Sequence, residues 1–334
     1  MLENLYTKIL VTGGGGFIGS SYIYQILSRY ENIQIINVDK KTYAASQSTL
    51  NMFQTHKNYE FLELDICNAK DIESVIYEEK PDLIIHFAAE SHVDNSIVNP
   101  NAFIDTNIQG TANLLNGVKN ANLSDKFLFH HISTDEIYGD LDLGESPFTE
   151  TSSIKPSSPY SASKASSDLI VSAWSRTYGI DYLITNCSNN FGPRQHPEKL
   201  IPKTILSLMN SKKISLYGDG MNVRDWIFVD DHTNILIKLQ ELCIKNQTFN
   251  IGGNYEISNH DLIHIILELA KELDIKVKDD PIEYVSDRLG HDRRYAIDNS
   301  KLNKYLSQDL LSPFKSSLKS TISWYIENED WWDR

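Results

Sequence analysis

Cysteine is scarce: Cys67, Cys187 and Cys243 are the only 3 in 334 residues, far apart and with no C-x-x-C pair. A disulfide-stapled scaffold and a zinc knuckle are thereby excluded, and three buried thiols in a reducing compartment are expected. Long hydrophobic runs are missing as well. No window approaches the roughly eighteen uninterrupted apolar residues of a membrane span, and Met1 to Lys8 is too short and too polar for a secretory signal. A cytoplasmic protein without a membrane partner is expected. Positive charge is in deficit, with 31 Lys and Arg against 45 Asp and Glu and a net charge of −14. Such a field repels polyphosphate backbones and anionic lipid surfaces, so general nucleic-acid binding is not expected. Internal repeats and low-complexity tracts are absent too.

What is there is a folded composition, 41% hydrophobic and 23% charged, over a length that suits about two structural units. Six short runs rich in aliphatic and β-branched residues stand out: 8–11, 34–38, 61–64, 83–87, 127–132 and 182–185. Segments such as 20–30 and 104–121 read as helices between them. This alternation predicts an α/β protein, a Rossmann-type doubly wound parallel sheet. After about residue 190 the rhythm weakens, interrupted by Pro193, Pro197 and Pro202. A smaller, mostly C-terminal α/β substrate unit is placed there. The expected division is 1–190, with a return at about 230–254, for the first unit, and 191–229 with 255–334 for the second. The return rests on Thr248 to Ile251 followed by Gly252-Gly253, which resembles one more strand and turn.

The first strand runs into Gly13-Gly14-Gly15-Gly16-Phe17-Ile18-Gly19, a G-x-G-x-x-G pattern between strand and helix. Glycines there permit a tight turn and a close approach of backbone to a pyrophosphate, whose charge meets free amides at the helix start. Gly13, Gly16, Phe17, Ile18 and Gly19 are the candidates. Asp39 follows 20 residues after Gly19, at the end of the second strand, where a carboxylate holds ribose hydroxyls and repels a 2′-phosphate. NAD rather than NADP is therefore the expected cofactor, with Lys40 beside Asp39 a weaker counter-signal. Asp65 and Ile66 at the third strand end, and Ala88 and Ala89 at the fourth, complete the cofactor set.

Tyr160 and Lys164 stand four residues apart and so share a helix face. A phenol beside an ammonium and a cationic nicotinamide is a candidate base, its phenolate favoured by both charges. Past the fifth strand come Thr134, Asp135 and Glu136. Two adjacent carboxyl groups at the sheet edge supply an acid and a base together, a pairing that suits elimination of water. No H-E-x-x-H or similar metal-ligand spacing occurs, so no metal is expected.

Taken with Phe87-Ala88-Ala89-Glu90-Ser91-His92, Asn189-Asn190-Phe191-Gly192-Pro193, Glu198-Lys199-Leu200-Ile201-Pro202, Asn222-Val223-Arg224-Asp225-Trp226 and Arg288-Leu289-Gly290-His291-Asp292-Arg293-Arg294-Tyr295, these motifs resemble those of extended short-chain dehydrogenase/reductases. Within that group they resemble the nucleoside-diphosphate-hexose 4,6-dehydratases of the dTDP-glucose type. The resemblance covers nearly the whole chain. It implies that Tyr160 starts oxidation at C4 of the hexose, tuned by Lys164, and that Thr134 orients the 4-oxygen. It also implies that Glu136 takes the C5 proton, that Asp135 protonates the departing C6 hydroxyl, and that the enzyme is a homodimer.

A nucleotide sugar carries two phosphate charges, and Lys199, Arg224, Arg288 and Arg293 are the cations expected to meet them. Ser91, His92, Asn189, Asn190 and Leu200 are expected to approach sugar, nucleotide or cofactor. Arg194 and His196 stand where aromatic residues are common in that family. They keep UDP-N-acetylglucosamine, with or without C5 epimerisation, and UDP-glucose open as substrates. A nucleotide-sugar 4-epimerase would not need Asp135 and Glu136, and a non-catalytic NAD sensor would need none of the catalytic set.

Overall fold

The computed structural model describes residues 1–331. Its strands are β1 (Lys8–Thr12), β2 (Gln34–Asp39), β3 (Tyr59–Glu63), β4 (Leu83–His86), β5 (Leu128–Thr134), β6 (Tyr182–Cys187), β7 (Asn189–Phe191), β8 (Ile214–Tyr217), β9 (Val223–Phe228), β10 (Gln247–Ile251), β11 (Glu256–Ser258) and β12 (Ile282–Val285). Seven of them form one sheet in the order β10-β6-β5-β4-β1-β2-β3, with every pair parallel. The α/β doubly wound architecture is as expected from the alternation of runs.

Strand periodicity explains why this sheet is covered twice. Ile9, Val11, Ile35, Leu83 and Ile85 project to one face, where Ile23 and Ile26 of the Phe17–Arg29 helix and Leu236 and Leu239 of the Val229–Glu241 helix bury them. Leu10, Val38, Ile84 and Phe129 project to the other face, against Ile72, Leu114, Leu115 and Val171 from three further helices. Consecutive residues of a strand face opposite sides, so a strand apolar on both must be sandwiched. The strand order reverses between β1 and β4, and the crevice at their carboxyl ends is where such folds bind ligands.

A separate core holds Phe191, Ile205, Trp226, Leu262, Ile266 and Ile322. It lies among the helices Leu200–Met209, Asn259–Glu272 and Phe314–Glu327, with the small sheets β11-β9-β7 and β12-β8. One stretch assigned from sequence to the second unit packs on the large sheet. Leu302 is buried in the core of that sheet, and Leu306, Leu310 and Leu311 pack against it.

Three local features also differ from expectation. The first helix starts at Phe17, not Ser20, because Gly16 itself is the N-cap. The stretch 104–121 is not one α-helix: Ile104–Gly110 is π-helical before α-helix resumes at Thr111–Ala121. In the wide turn the Asn107 side chain accepts from the Glu90 N–H at 2.9 Å and donates to the Glu90 carbonyl at 3.0 Å and to Ser163 Oγ at 2.8 Å. Finally, only Cys187 is a buried thiol. Cys67 is partly exposed and Cys243, in the turn after the Val229–Glu241 helix, is exposed.

Candidate active site

One cleft runs along the carboxyl ends of β1, β2, β4, β5 and β6 and gathers most of the candidates. At its floor the glycine loop is shaped by contact. Gly13 adopts φ +74°, and a Cβ there would sit 2.6 Å from the Ala88 nitrogen. A Cβ on Gly19 would sit 2.5 Å from the Gly13 carbonyl oxygen. Gly16 caps the Phe17–Arg29 helix without any side-chain bond, which leaves the first amides of the helix, at Phe17 and Ile18, open to an anion. Asp39 closes the loop. Its Oδ2 accepts from the Gly15 N–H at 2.9 Å and its Oδ1 from the Lys41 N–H at 2.8 Å.

Lys40 donates to Thr106 Oγ1 at 3.3 Å, with the carboxylates of Asp65 and Glu90 3.7 and 3.9 Å away. Its charge is thus already balanced, and Asp39 decides the electrostatics of the ribose end. Ile66, Ala88 and Ala89 line the cleft as expected. Asp65 does not; it accepts from the Cys67 N–H at 2.9 Å and faces Lys40. A tight backbone cradle, open helix amides and an acidic ribose end fit NAD.

On the far wall, β5 ends in Thr134 and turns into the one-turn helix Asp135–Tyr138, where Thr134 Oγ1 accepts from the Glu136 N–H at 3.3 Å. Opposite stands the Pro159–Tyr178 helix, started by a Ser158/Ser161 capping box that sets its first turn. Tyr160 and Lys164 both line the cleft. Lys164 Nζ donates to the Ile132 carbonyl at 2.8 Å and lies 3.4 Å from His131 Nε2. Burial lowers its pKa to about 8, an effect opposed by Asp168. Asp168 accepts from Ser133 Oγ at 2.9 Å and lies 3.3 Å from His131 Nε2, and burial raises its pKa to about 7.

The Tyr160 phenol lies at the cleft. Burial, followed by the Glu136 carboxylate, pushes the phenol well above its ordinary value, and Lys164 spends its hydrogen bonds on Ile132 and His131. Asp135 and Glu136 are both shifted upward. Asp135 is 2% exposed, and burial with the charges of Glu136 and Asp225 raises it well above the carboxylate range. Burial raises Glu136 too, but Arg288, Arg224 and Lys199 pull it back. Burial thus raises both carboxyl groups, and the neighbouring cations oppose that rise.

The expected substrate residues fall into two groups. Ser91, Asn189, Asn190 and Lys199 line the cleft, and Lys199 donates to the Ser91 carbonyl at 3.1 Å. Arg224 is 4% exposed, stacks 4.2 Å over Tyr295 and donates to the Asp292 carbonyl at 2.9 Å, with its charge felt at Asp135 and Glu136. Arg288 reaches Asp94 at 3.7 Å, and His92 reaches Glu198 at 3.5 Å. Leu200 instead begins a helix and packs on the second core. Arg293 is a half-buried partner of Asp219 at 2.9 Å. Arg194 turns away from the cleft: at φ +69° its guanidinium lies over the Tyr24 ring, 5.9 Å from the centroid, and the Asp230 charge opposes the effect of its burial.

Sequence reading also missed groups that belong here. Asn107 and Cys187 carry no motif signal of their own, and only the folding of distant segments brings them to the cleft or its frame; Glu198, at the head of the Glu198–Pro202 motif, lines the cleft as well.

A sequence model of the family described as GDP-mannose 4,6 dehydratase matches residues 10–312. The chain belongs to that family. Among GDP-mannose 4,6 dehydratase family members it is similar to the dTDP-glucose 4,6-dehydratase of Neisseria meningitidis, at 45% identity over 97% of this chain and 95% of that protein. Similarity to dTDP-glucose 4,6-dehydratase 1 of Escherichia coli is 46% over 98% and 94%. The crystal structure of dTDP-glucose 4,6-dehydratase from Streptomyces venezuelae, solved with NAD bound, superposes with a TM-score of 0.90 at 39% identity and covers 98% of this chain and 99% of that one.

Proposed function

We propose that this family member is an NAD-dependent nucleotide-hexose 4,6-dehydratase, a hydro-lyase that converts dTDP-glucose to its 4-keto-6-deoxy derivative. The observation that carries the reading is the Thr134-Asp135-Glu136 turn, which lines the same cleft as Tyr160 and Lys164, with burial raising Asp135 and the charges of Arg288, Arg224 and Lys199 opposing that rise at Glu136. NAD, held by the glycine loop and Asp39, supplies a hydride acceptor and a positive charge that favours the Tyr160 phenolate. Tyr160 takes the proton of the 4-hydroxyl, positioned by Thr134. With C4 a carbonyl the C5 hydrogen is acidified, and Glu136 removes it. Asp135 gives its proton to the C6 hydroxyl, which leaves as water. Arg224, Arg288 and Lys199 support the diphosphate of the substrate and hold Glu136 ionised.

A 4-epimerase has no use for an acid and base at C5 and C6. The case for a 2-acetamido sugar rested on Arg194 and His196; His196 lines the cleft, but Arg194 lies against Tyr24, outside it, which weakens that case. A homodimer through the helices near Pro100 and Tyr160 belongs to the same reading, supported by exposed Val98, Ile104 and Leu169. So does a cytoplasmic location; no described helix is long and apolar enough to cross a membrane.

Offered dTDP-glucose, UDP-glucose and UDP-N-acetylglucosamine in parallel, the purified protein is expected to turn over dTDP-glucose fastest. The NMR spectrum should show solvent deuterium at C5 and the C4 hydrogen moved to C6. Turnover without a 4-keto-6-deoxy product would overturn the reading.

Asp168 gives a pH test. Its carboxylate opposes the fall in the Lys164 pKa, so Asp168→Asn is expected to let Lys164 drop further below its value of about 8. The limb of the pH–rate profile that follows Lys164 then moves to lower pH, with bound NAD unchanged. A limb that stays in place would show that Asp168 does not act on Lys164.

A further inference from the structure

Dehydration leaves a proton imbalance inside the site, and Thr134 stands where it must be corrected. In the reaction proposed above, on which this inference rests, the hydride lost from C4 reappears at C6 and the proton lost from C5 is replaced at C5. What the hexose loses overall is water, made of the C6 hydroxyl and one proton, and the only proton not returned is that of the 4-hydroxyl. Tyr160 takes this proton, while Asp135 gives one to the departing hydroxide. Each turnover therefore ends with one proton too many on Tyr160 and one too few on Asp135.

Asp135 lines the cleft but is only 2% exposed, so its carboxyl group meets little bulk water. The Thr134 hydroxyl donates to Asp135 Oδ1 at 3.4 Å and is also the side chain that hydrogen-bonds Tyr160. A hydroxyl can accept one proton while giving up another. We propose that Thr134 relays the proton from Tyr160 to Asp135 and so resets acid and base within the site after every turnover. The Tyr160 O–H bond breaks as a bond forms to Thr134 Oγ1, and the original Thr134 proton passes to Asp135 Oδ1; nothing is oxidised or reduced. Asp135 Oδ2 is buried without a hydrogen-bond partner, which leaves it for the C6 hydroxyl, and a half-turn of the carboxyl group brings the newly protonated oxygen to that side. Lys164 leads elsewhere, toward Ile132, His131 and Asp168.

The relay predicts different behaviour in the first and later turnovers. Holoenzyme carrying Thr134→Val, mixed with excess dTDP-glucose and quenched rapidly, is expected to form about one product per site in a burst, because Asp135 starts protonated. Later turnovers should be slower by about 10²-fold, the scale of a lost proton-transfer step. Thr134→Ser keeps the hydroxyl and is expected to show no such break. In difference infrared spectra, the carboxylic-acid band identified by its loss in Asp135→Asn should disappear after one turnover of Thr134→Val and persist in the native enzyme. Equal slowing of first and later turnovers with the band retained would overturn the relay and leave Thr134 as an orienting group only. A native-like steady rate in Thr134→Val would overturn it as well. Absence of the 4-keto-6-deoxy product from the native protein would instead overturn the dehydratase reading, and the relay with it.

Discussion

Asp135→Asn together with Glu136→Gln is expected to stop water elimination while leaving C4 oxidation in place, so that reduced cofactor accumulates and its absorbance rises on adding dTDP-glucose. The amides keep the volume of the side chains but cannot hold or take the proton that each step moves. Each lost acid or base function is worth about 10²–10⁴-fold in rate, and product formation should fall by at least the smaller of these factors. The two single variants should differ. Burial and the neighbouring Glu136 charge disfavour the ionised form of Asp135; on the proposed mechanism Asp135→Asn removes the acid that releases the C6 hydroxyl but leaves Glu136 able to open C5. Exchange of the C5 hydrogen with solvent is therefore expected to continue in Asp135→Asn and to cease in Glu136→Gln. NMR of the recovered sugar in deuterated water checks this, and native-like turnover in the double variant would remove both residues from the mechanism.

Gly13→Ala is expected to cost the protein its cofactor. Gly13 sits at φ +74°, where an L-residue pays about 1–2 kcal/mol, and its new Cβ would lie 2.6 Å from the nitrogen and 2.7 Å from the Cα of Ala88. Both partners are backbone, at the ends of paired strands β1 and β4, so neither can swing aside as a side chain would. The loop must move, and the amides that face the pyrophosphate move with it. Since about 1.4 kcal/mol is tenfold in affinity, bound NAD in the purified protein should fall tenfold or more, with a lowered thermal unfolding midpoint. Gly16→Ala is the control. Its Cβ would meet only the Gly13 carbonyl oxygen, at 3.3 Å, and a milder loss is expected. Equal cofactor content in Gly13→Ala and the native protein would show that the loop tolerates a side chain.

Much of this was legible before any coordinates. Parallel strands buried on both faces need continuous apolar runs, and a loop that cradles a pyrophosphate needs glycine, so β1 to β6, the loop Gly13–Gly19 and Asp39 can be read from local sequence alone. Tyr160 with Lys164 and Asp135 with Glu136 are equally visible, because their chemistry depends on residue type and short spacing. Arg194 and Arg293 show the limit. Both are cations in family-like segments, yet one lies over Tyr24 and the other pairs with Asp219 on the surface.

The direction of a side chain depends on which distant elements pack around it, and no local pattern carries that information. The same holds for Asn107, which a π-helical turn carries to the Glu90 backbone, and for the Lys164–His131–Asp168 cluster joined across β5 and the Pro159–Tyr178 helix. Protonation states belong to the same class: Asp135, Lys164 and Tyr160 leave their ordinary ranges chiefly through burial, a property of the assembled interior. Residue types and spacing alone determined the fold class, the cofactor loop and the set of reactive groups. Tertiary structure alone decided which cations face the cleft and how strongly each buried carboxyl, ammonium and phenol is shifted, because desolvation and charge at each site are summed over segments far apart in the chain.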